Sequence, residues 1–178
     1  MSAQDLIDRL FSCPKGEKGW RQFEDICVEI LQYLFVPPLT RPRIQTRTLS
    51  GVERRDAVFP NRNLDPSNIW GQLRSELQAR FVLFEFKNHR RQKVNITDVD
   101  QARNYLTPRI GNLAIICSTQ PPSKNALRKR NTIYTRDEKV ILFINPDHLK
   151  EMIFIKERGE DPADLIMDTV EEFYLQHE

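Results

Sequence analysis

The chain has 178 residues, enough for one domain with a substantial core. A formal net charge of +2 excludes a histone-like polycation, and 39% hydrophobic residues exclude wholesale disorder. Three widely separated cysteines (Cys13, Cys27, Cys117), with no CxxC spacing and no neighbouring histidine, argue against a zinc site or a disulfide framework and for a reducing compartment. The longest apolar run is far too short for a membrane span and no signal peptide is visible, so the expectation is a soluble, cytoplasmic protein.

Ser2–Phe11 reads as a short amphipathic helix with Leu6, Ile7 and Leu10 on one side, broken by Pro14, Gly16 and Gly19. Trp20, Phe23, Cys27, Ile30, Leu31 and Leu34 recur at helical spacing from Trp20 to Phe35, and Val36-Pro37-Pro38 ends that helix. Glu24 borders the apolar stripe instead of facing open water. Arg43–Leu49 alternates as a strand does, Ser50-Gly51 is a turn, and Val52–Phe59 returns as a second strand with Val52, Arg54, Asp56 and Val58 on one face. Residues 60–79 form an excursion with a short helix ending at Leu77, and Trp70 within it is expected in a satellite core or at an interface. Phe81–Asn88 is a strand, and a helix over Thr97–Leu106 buries Ile96, Val99, Ala102 and Leu106, with Asp98, Gln101 and Tyr105 on an adjoining face. Asn112–Ser118 and Val140–Asn145 are apolar strands, separated by a basic helix that Ser123 caps and that runs through Arg130. Helices near Asp147–Ile155 and Pro162–Leu175 close the chain, the latter with Asp161 as its cap. Strand, helix, strand in this spacing implies a right-handed parallel crossover, so the order predicts a single three-layer α/β/α domain on a mixed sheet of about five strands.

The informative stretch is Phe81-Val82-Leu83-Phe84-Glu85-Phe86-Lys87-Asn88. Four apolar residues mark a strand buried on both faces, and it then carries a carboxylate and an ammonium. Side chains alternate along a strand, so Glu85 and Lys87 share a face while Phe86 points the other way. Charges at the end of an apolar strand are costly to desolvate unless paired or bound to a metal. Asp56 stands on the preceding strand, and if it converges with Glu85 the two supply the hard oxygen ligands that Mg²⁺ or Mn²⁺ prefers. A lysine beside such a metal orients or helps to deprotonate an attacking water and stabilises charge on a phosphoryl transition state.

The pattern of Glu24 on a helix, Asp56 after a hairpin turn and Glu85-Phe86-Lys87 on the next strand resembles the PD-(D/E)xK restriction-endonuclease-like superfamily. Within it, the Mrr-type and Holliday-junction-resolvase-like branches place a Gln-x-x-x-Tyr pair on the following helix, which Gln101-Ala102-Arg103-Asn104-Tyr105 matches. The resemblance covers residues 20–149 and leaves both ends, residues 1–19 and the 150–178 helices, unexplained. It departs from the family at Arg55, where a proline would stand, and in the long 61–80 excursion, which leaves Asp65 as a rival first acid. A second (D/E)xK match, Asp137-Glu138-Lys139, precedes its strand and follows a polar loop, so no apolar run delivers it to a strand end.

The resemblance implies a restriction-endonuclease-like fold and a Mg²⁺- or Mn²⁺-dependent endonuclease that cleaves DNA phosphodiester bonds in defence, repair or recombination. It implies metal ligation by Asp56, Glu85 and Phe86, catalysis by Asp56, Glu85 and Lys87 with Glu24 and Gln101 in support, and a homodimer or a partner protein supplying specificity. Nucleic-acid contacts are expected from Arg54 and Arg55, from the run at 87–93 (His89, Arg90, Arg91, Lys93) and from that at 124–130 (Lys124, Arg128, Lys129, Arg130). Bland readings stand beside these: a rim salt bridge for Glu85 and Lys87, a helix-dipole role for Glu24, and solvated surface for the basic runs. Two rival functions also stay open, an inactive nuclease-fold module for nucleic-acid binding or complex assembly, and an RNA-directed nuclease.

Overall fold

The computed structural model describes residues 2–47 and 54–177, with side chains described over 2–44 and 56–177. The expected turn at Ser50-Gly51, the strand ends at Leu49 and Val52, and the side chains of Arg54 and Arg55 lie outside the described residues. The elements run α1 (Ala3–Ser12), α2 (Trp20–Phe35), β1 (Arg43–Arg47), β2 (Arg54–Pro60), α3 (Ile69–Glu76), β3 (Phe81–Lys87), α4 (Ile96–Tyr105), β4 (Leu113–Ser118), α5 (Lys124–Asp137), β5 (Val140–Ile144), α6 (Pro146–Glu157) and α7 (Ala163–Gln176). None of the described helices is long and apolar enough to cross a membrane.

The five strands form one sheet in sequential order. β1, β2 and β3 are antiparallel neighbours, whereas β3, β4 and β5 run parallel, joined by crossovers through α4 and α5. The architecture is therefore a three-layer α/β/α fold on a mixed sheet. Strands β3 and β4 are buried nearly throughout because helices cover both faces, which explains their unbroken apolar runs. One face carries Phe59, Val82, Phe84, Phe86 and Ile115 against α1, α2, α3, α6 and α7. The other carries Val58, Leu83, Ala114, Ile116 and Ile141 against α4 and α5.

The apolar periodicities place most helices where expected, and the differences have local causes. Trp20 and Ile96, expected on buried stripes, are 42% exposed: each sits at the first position of its helix, where the chain has not yet reached the sheet. Helix α5 continues past Arg130 to Asp137, because Ile133 keeps the apolar stripe alive and Glu138 ends it in the left-handed conformation. Asp161 does accept from the Ala163 amide at 2.9 Å, although Pro162 is the residue that flanks α7. Trp70 belongs to the main core, its ring set edge-on to Phe35 at 4.9 Å, and not to a satellite cluster or an interface. The 60–79 excursion is thus a built part of the fold. Asn61 is fully buried and its amide donates to the carbonyls of Trp70 (2.8 Å) and Ala79 (3.0 Å), while Gly71 lets α3 approach the Asp65 carbonyl where a Cβ would lie 1.9 Å away.

Candidate active site

Antiparallel pairing of β2 with β3 joins Ala57 to Phe84, and continuing that register sets Asp56 across from Glu85. There the ladder changes. The Phe86 amide donates to Asp56 Oδ2 at 2.9 Å, so a carboxylate takes the place that a backbone carbonyl of β2 would fill. The Lys87 carbonyl accepts from the Thr119 amide on the β4 side at 3.1 Å. Strand alternation therefore sends the Phe86 carbonyl, one residue earlier, toward β2 and Asp56.

Asp56, Glu85 and Lys87 all lie on the face that α4 covers, since Val58 and Leu83, two residues away along each strand, pack there. Glu85 is fully buried; neither of its oxygens makes a hydrogen bond of normal geometry with a described residue, although the amide and carboxyl of Asp56 act on it as hydrogen-bonding groups. Burial first, and the neighbouring Asp56 carboxylate second, push its pKa up to about 9, with Lys87 opposing. Lys87 Nζ stands 3.7 Å from Glu85 Oε2 and 3.8 Å from Asp98 Oδ1. It donates to Gln101 Oε1 at 2.8 Å, and Gln101 Nε2 donates in turn to the Tyr105 hydroxyl at 2.8 Å. Lys87 can only donate, so Gln101 turns its Oε1 to the lysine and leaves Nε2 for the Tyr105 hydroxyl.

Helix α4 aims these groups because its start is tightly defined. Asn95 Oδ1 accepts from the Asp98 amide at 3.1 Å and Asp98 Oδ2 accepts from the Asn95 amide at 2.9 Å, a reciprocal capping box. Asp98 and Gln101 then share one side of the helix at i, i+3, and Tyr105 follows one turn later, buried. Asp98 is the site residue that the motif reading missed. It also lies 3.6 Å from His89 Nε2. The signal was its place one turn before Gln101, on the helix face that also carries Tyr105.

Other expected residues fall into three groups. Asp65 sits in an exposed loop, its carboxylate accepting from Ser67, so the first acid beside Glu85 is Asp56. Asp137 ends α5 and pairs with Arg103 at 2.6 Å, far from any strand-end carboxylate, so the second (D/E)xK match is structural. Glu24 is buried on α2, against the opposite face of the sheet. Its neighbour Cys27 has its thiol pushed up by burial, with Cys117, the register partner of Phe86, contributing next. Glu24 thus lies behind the strand end that bears the carboxylate pair.

Of the basic residues, Arg90, Arg91 and Lys93 are exposed on the loop after β3. That loop is pinned by Thr119 Oγ1 to the His89 carbonyl (2.7 Å) and by Gln120 Nε2 to the Arg90 carbonyl (3.0 Å). Lys124 and Arg128 are exposed, and Lys129 pairs with Asp100 at 3.1 Å. Arg130 departs from the expectation of an open surface cation. Its guanidinium lies over Phe143 (5.5 Å) and Phe173 (4.6 Å), at the wall of a cavity of about 460 Å³ beyond the ends of β4 and β5.

Among the described residues no group of three or more His, Cys, Asp or Glu side chains could hold a metal ion. Magnesium, however, uses one or two carboxylates with waters and substrate oxygens. A buried carboxylate with neither oxygen in a hydrogen bond of normal geometry to a described residue, a second carboxylate beside it and a backbone carbonyl on the same edge make a donor set of that kind. The residues fit.

The chain matches no protein-family model, and no solved structure matches it. It is similar to the "Putative transposon gamma-delta 80.3 kDa protein" of Escherichia coli (strain K12), 28% identical over 111 residues. That match spans 62% of this chain and 15% of the transposon protein.

Proposed function

We propose that this chain is a metal-dependent endonuclease of PD-(D/E)xK type that hydrolyses phosphodiester bonds in DNA. The observation that carries the reading is the fully buried Glu85 carboxyl, neither oxygen in a hydrogen bond of normal geometry with a described residue, set beside Asp56 and Lys87 at one strand end. A buried ion pair alone does not explain it, because Lys87 makes its hydrogen bond to Gln101 and leaves both Glu85 oxygens without one. The similarity to a transposon protein supports DNA as the substrate.

When bound, Mg²⁺ or Mn²⁺ supplies Lewis-acid polarisation of the phosphoryl group and offsets its charge. Asp56, Glu85 and the Phe86 carbonyl are the groups that would hold it. Lys87, held by Gln101, has donors left to position a water and to stabilise charge developing on the phosphoryl oxygens. Tyr105 keeps Gln101 in the orientation that accepts from Lys87, so both are positioning residues. Glu24 supports the site from behind. On this reading the protein works in the cytoplasm, as a homodimer or with a partner that supplies specificity.

The test incubates wild type, Asp56→Ala and Lys87→Ala with linear, circular and single-stranded DNA and with RNA, in Mg²⁺, Mn²⁺ or EDTA. Metal-dependent cutting of DNA by wild type and by neither variant is the expected result. Cutting of RNA alone would move the substrate, and cutting by both variants would end the assignment of the site.

A further inference from the structure

A second concavity, of about 300 Å³, opens at the other end of β1, β2 and β3. Four arginines line it, Arg43, Arg62, Arg74 and Arg80, and among the described residues no carboxylate does. Like charges crowd only where something holds them. Here the frame is the 61–80 segment: the Asn61 carbonyl accepts from Arg74, the Asn61 amide donates to the Arg80 carbonyl at 2.8 Å, and the buried Asn61 side chain anchors both. Arg62 and Arg80 flank it with exposed side chains.

We propose that this pocket binds a backbone phosphate of the DNA whose cleavage is proposed above, an assignment that rests on that reading for its nucleic acid. Guanidinium groups present planar donor forks that suit phosphate oxygens, and several around one concavity make an anion site without any metal. The sheet ties this site to the catalytic one. Arg43 pairs with Val58, and Pro60 pairs with Phe81, so the β-strand part of the pocket wall lies on the same sheet face as Asp56, Glu85 and Lys87. Along β3, Phe81 precedes Glu85 by four residues and Lys87 by six, a separation of roughly 13–20 Å at about 3.3 Å per residue. That equals roughly four to six base-pair steps of about 3.4 Å; helices cover this face over β3, so the duplex that meets both sites runs along the exposed β1 edge of the sheet. The excursion that lengthens the chain between Asp56 and Glu85 thereby acquires a task, to extend the substrate footprint away from the scissile bond.

The test measures binding of a fluorescein-labelled duplex by anisotropy, in EDTA so that nothing is cut, as a function of salt. Arg62→Gln/Arg80→Gln removes two exposed guanidiniums and spares Arg74, which the frame needs. Arg136→Gln/Arg158→Gln removes the same net charge elsewhere. The pocket variant is expected to bind up to about tenfold more weakly and to lose about two from the slope of log K against log salt, with the control near wild type. Equal affinity and slope for the two variants, or no binding by wild type, would overturn the proposal. Adenosine monophosphate is the second arm: if it binds wild type and not the pocket variant while duplex binds both alike, the pocket is a mononucleotide site and the backbone assignment falls. Because binding is read without metal, loss of binding in a protein that never cuts would fail only the nuclease reading. Cutting with binding indifferent to Arg62 and Arg80 would fail only this one.

Discussion

Glu85 concentrates the chemistry of the site in one titration. Its carboxyl holds its proton in the folded protein to about 9, against 4.5 for an ordinary glutamate. Between those values the folded state binds a proton that the unfolded state has lost, so stability falls as pH rises, by up to ~1.4 kcal/mol per pH unit. The full contribution is present below the unfolded value and gone above the folded one. Urea unfolding in EDTA at pH 6 and pH 8 should therefore show wild type losing stability while Glu85→Gln stays nearly flat and is the more stable at pH 8. Added Mg²⁺ should stabilise wild type and leave Glu85→Gln unmoved. Lys87→Met should keep the fold and lower the cleavage rate by ~10²–10³-fold, the scale of losing one transition-state donor. Tyr105→Phe removes the hydroxyl that accepts from Gln101, and a rate loss well below that of Lys87→Met is expected.

Elements place these residues through their ends and their close approaches. Helix α4 starts at a reciprocal cap, so Asn95→Ala should lower stability by about 1 kcal/mol in chemical denaturation and loosen Asp98 beside Lys87. Helix α3 gives the opposite of what propensity predicts. Alanine is the better helix former by about 1 kcal/mol, yet at Gly71 its Cβ would meet the Asp65 carbonyl oxygen at 1.9 Å. Gly71→Ala should therefore destabilise, by ~1–3 kcal/mol, as an overpacked site does. A stabilised variant in the same melt would show that α3 does not lie against residue 65.

At the scale of the molecule, the C-terminal helices belong to the core. Ala163, Ile166, Val170 and Phe173 of α7 are buried in the same cluster as β5 and α2. Burial of a Val, Ile or Phe side chain is worth ~1.5–3 kcal/mol, and whole domains are stable by ~5–15 kcal/mol. A chain cut after Asp161 should lose its near-ultraviolet dichroism and its cooperative urea transition. Retention of both would mean that α7 is dispensable to the fold.

The strands, the helix at 20–35, the sheet's mixed sense and the Asp56, Glu85, Lys87 set were legible in the sequence. Each rests on a local rule: side-chain alternation, helical periodicity, the length of a parallel crossover, and the anomaly of charges ending an apolar run. Trp70 in the core, the exposure of Trp20 and Ile96 and the half-burial of Arg130 over two phenylalanine rings were not legible. Neither was the convergence of Arg43, Arg62, Arg74 and Arg80, spread over 38 positions of the chain, on one concavity. These depend on which surfaces meet when helices dock on the two faces of a sheet. Periodicity says that a face is apolar, but only the packing of one element on another decides which distant residue completes it.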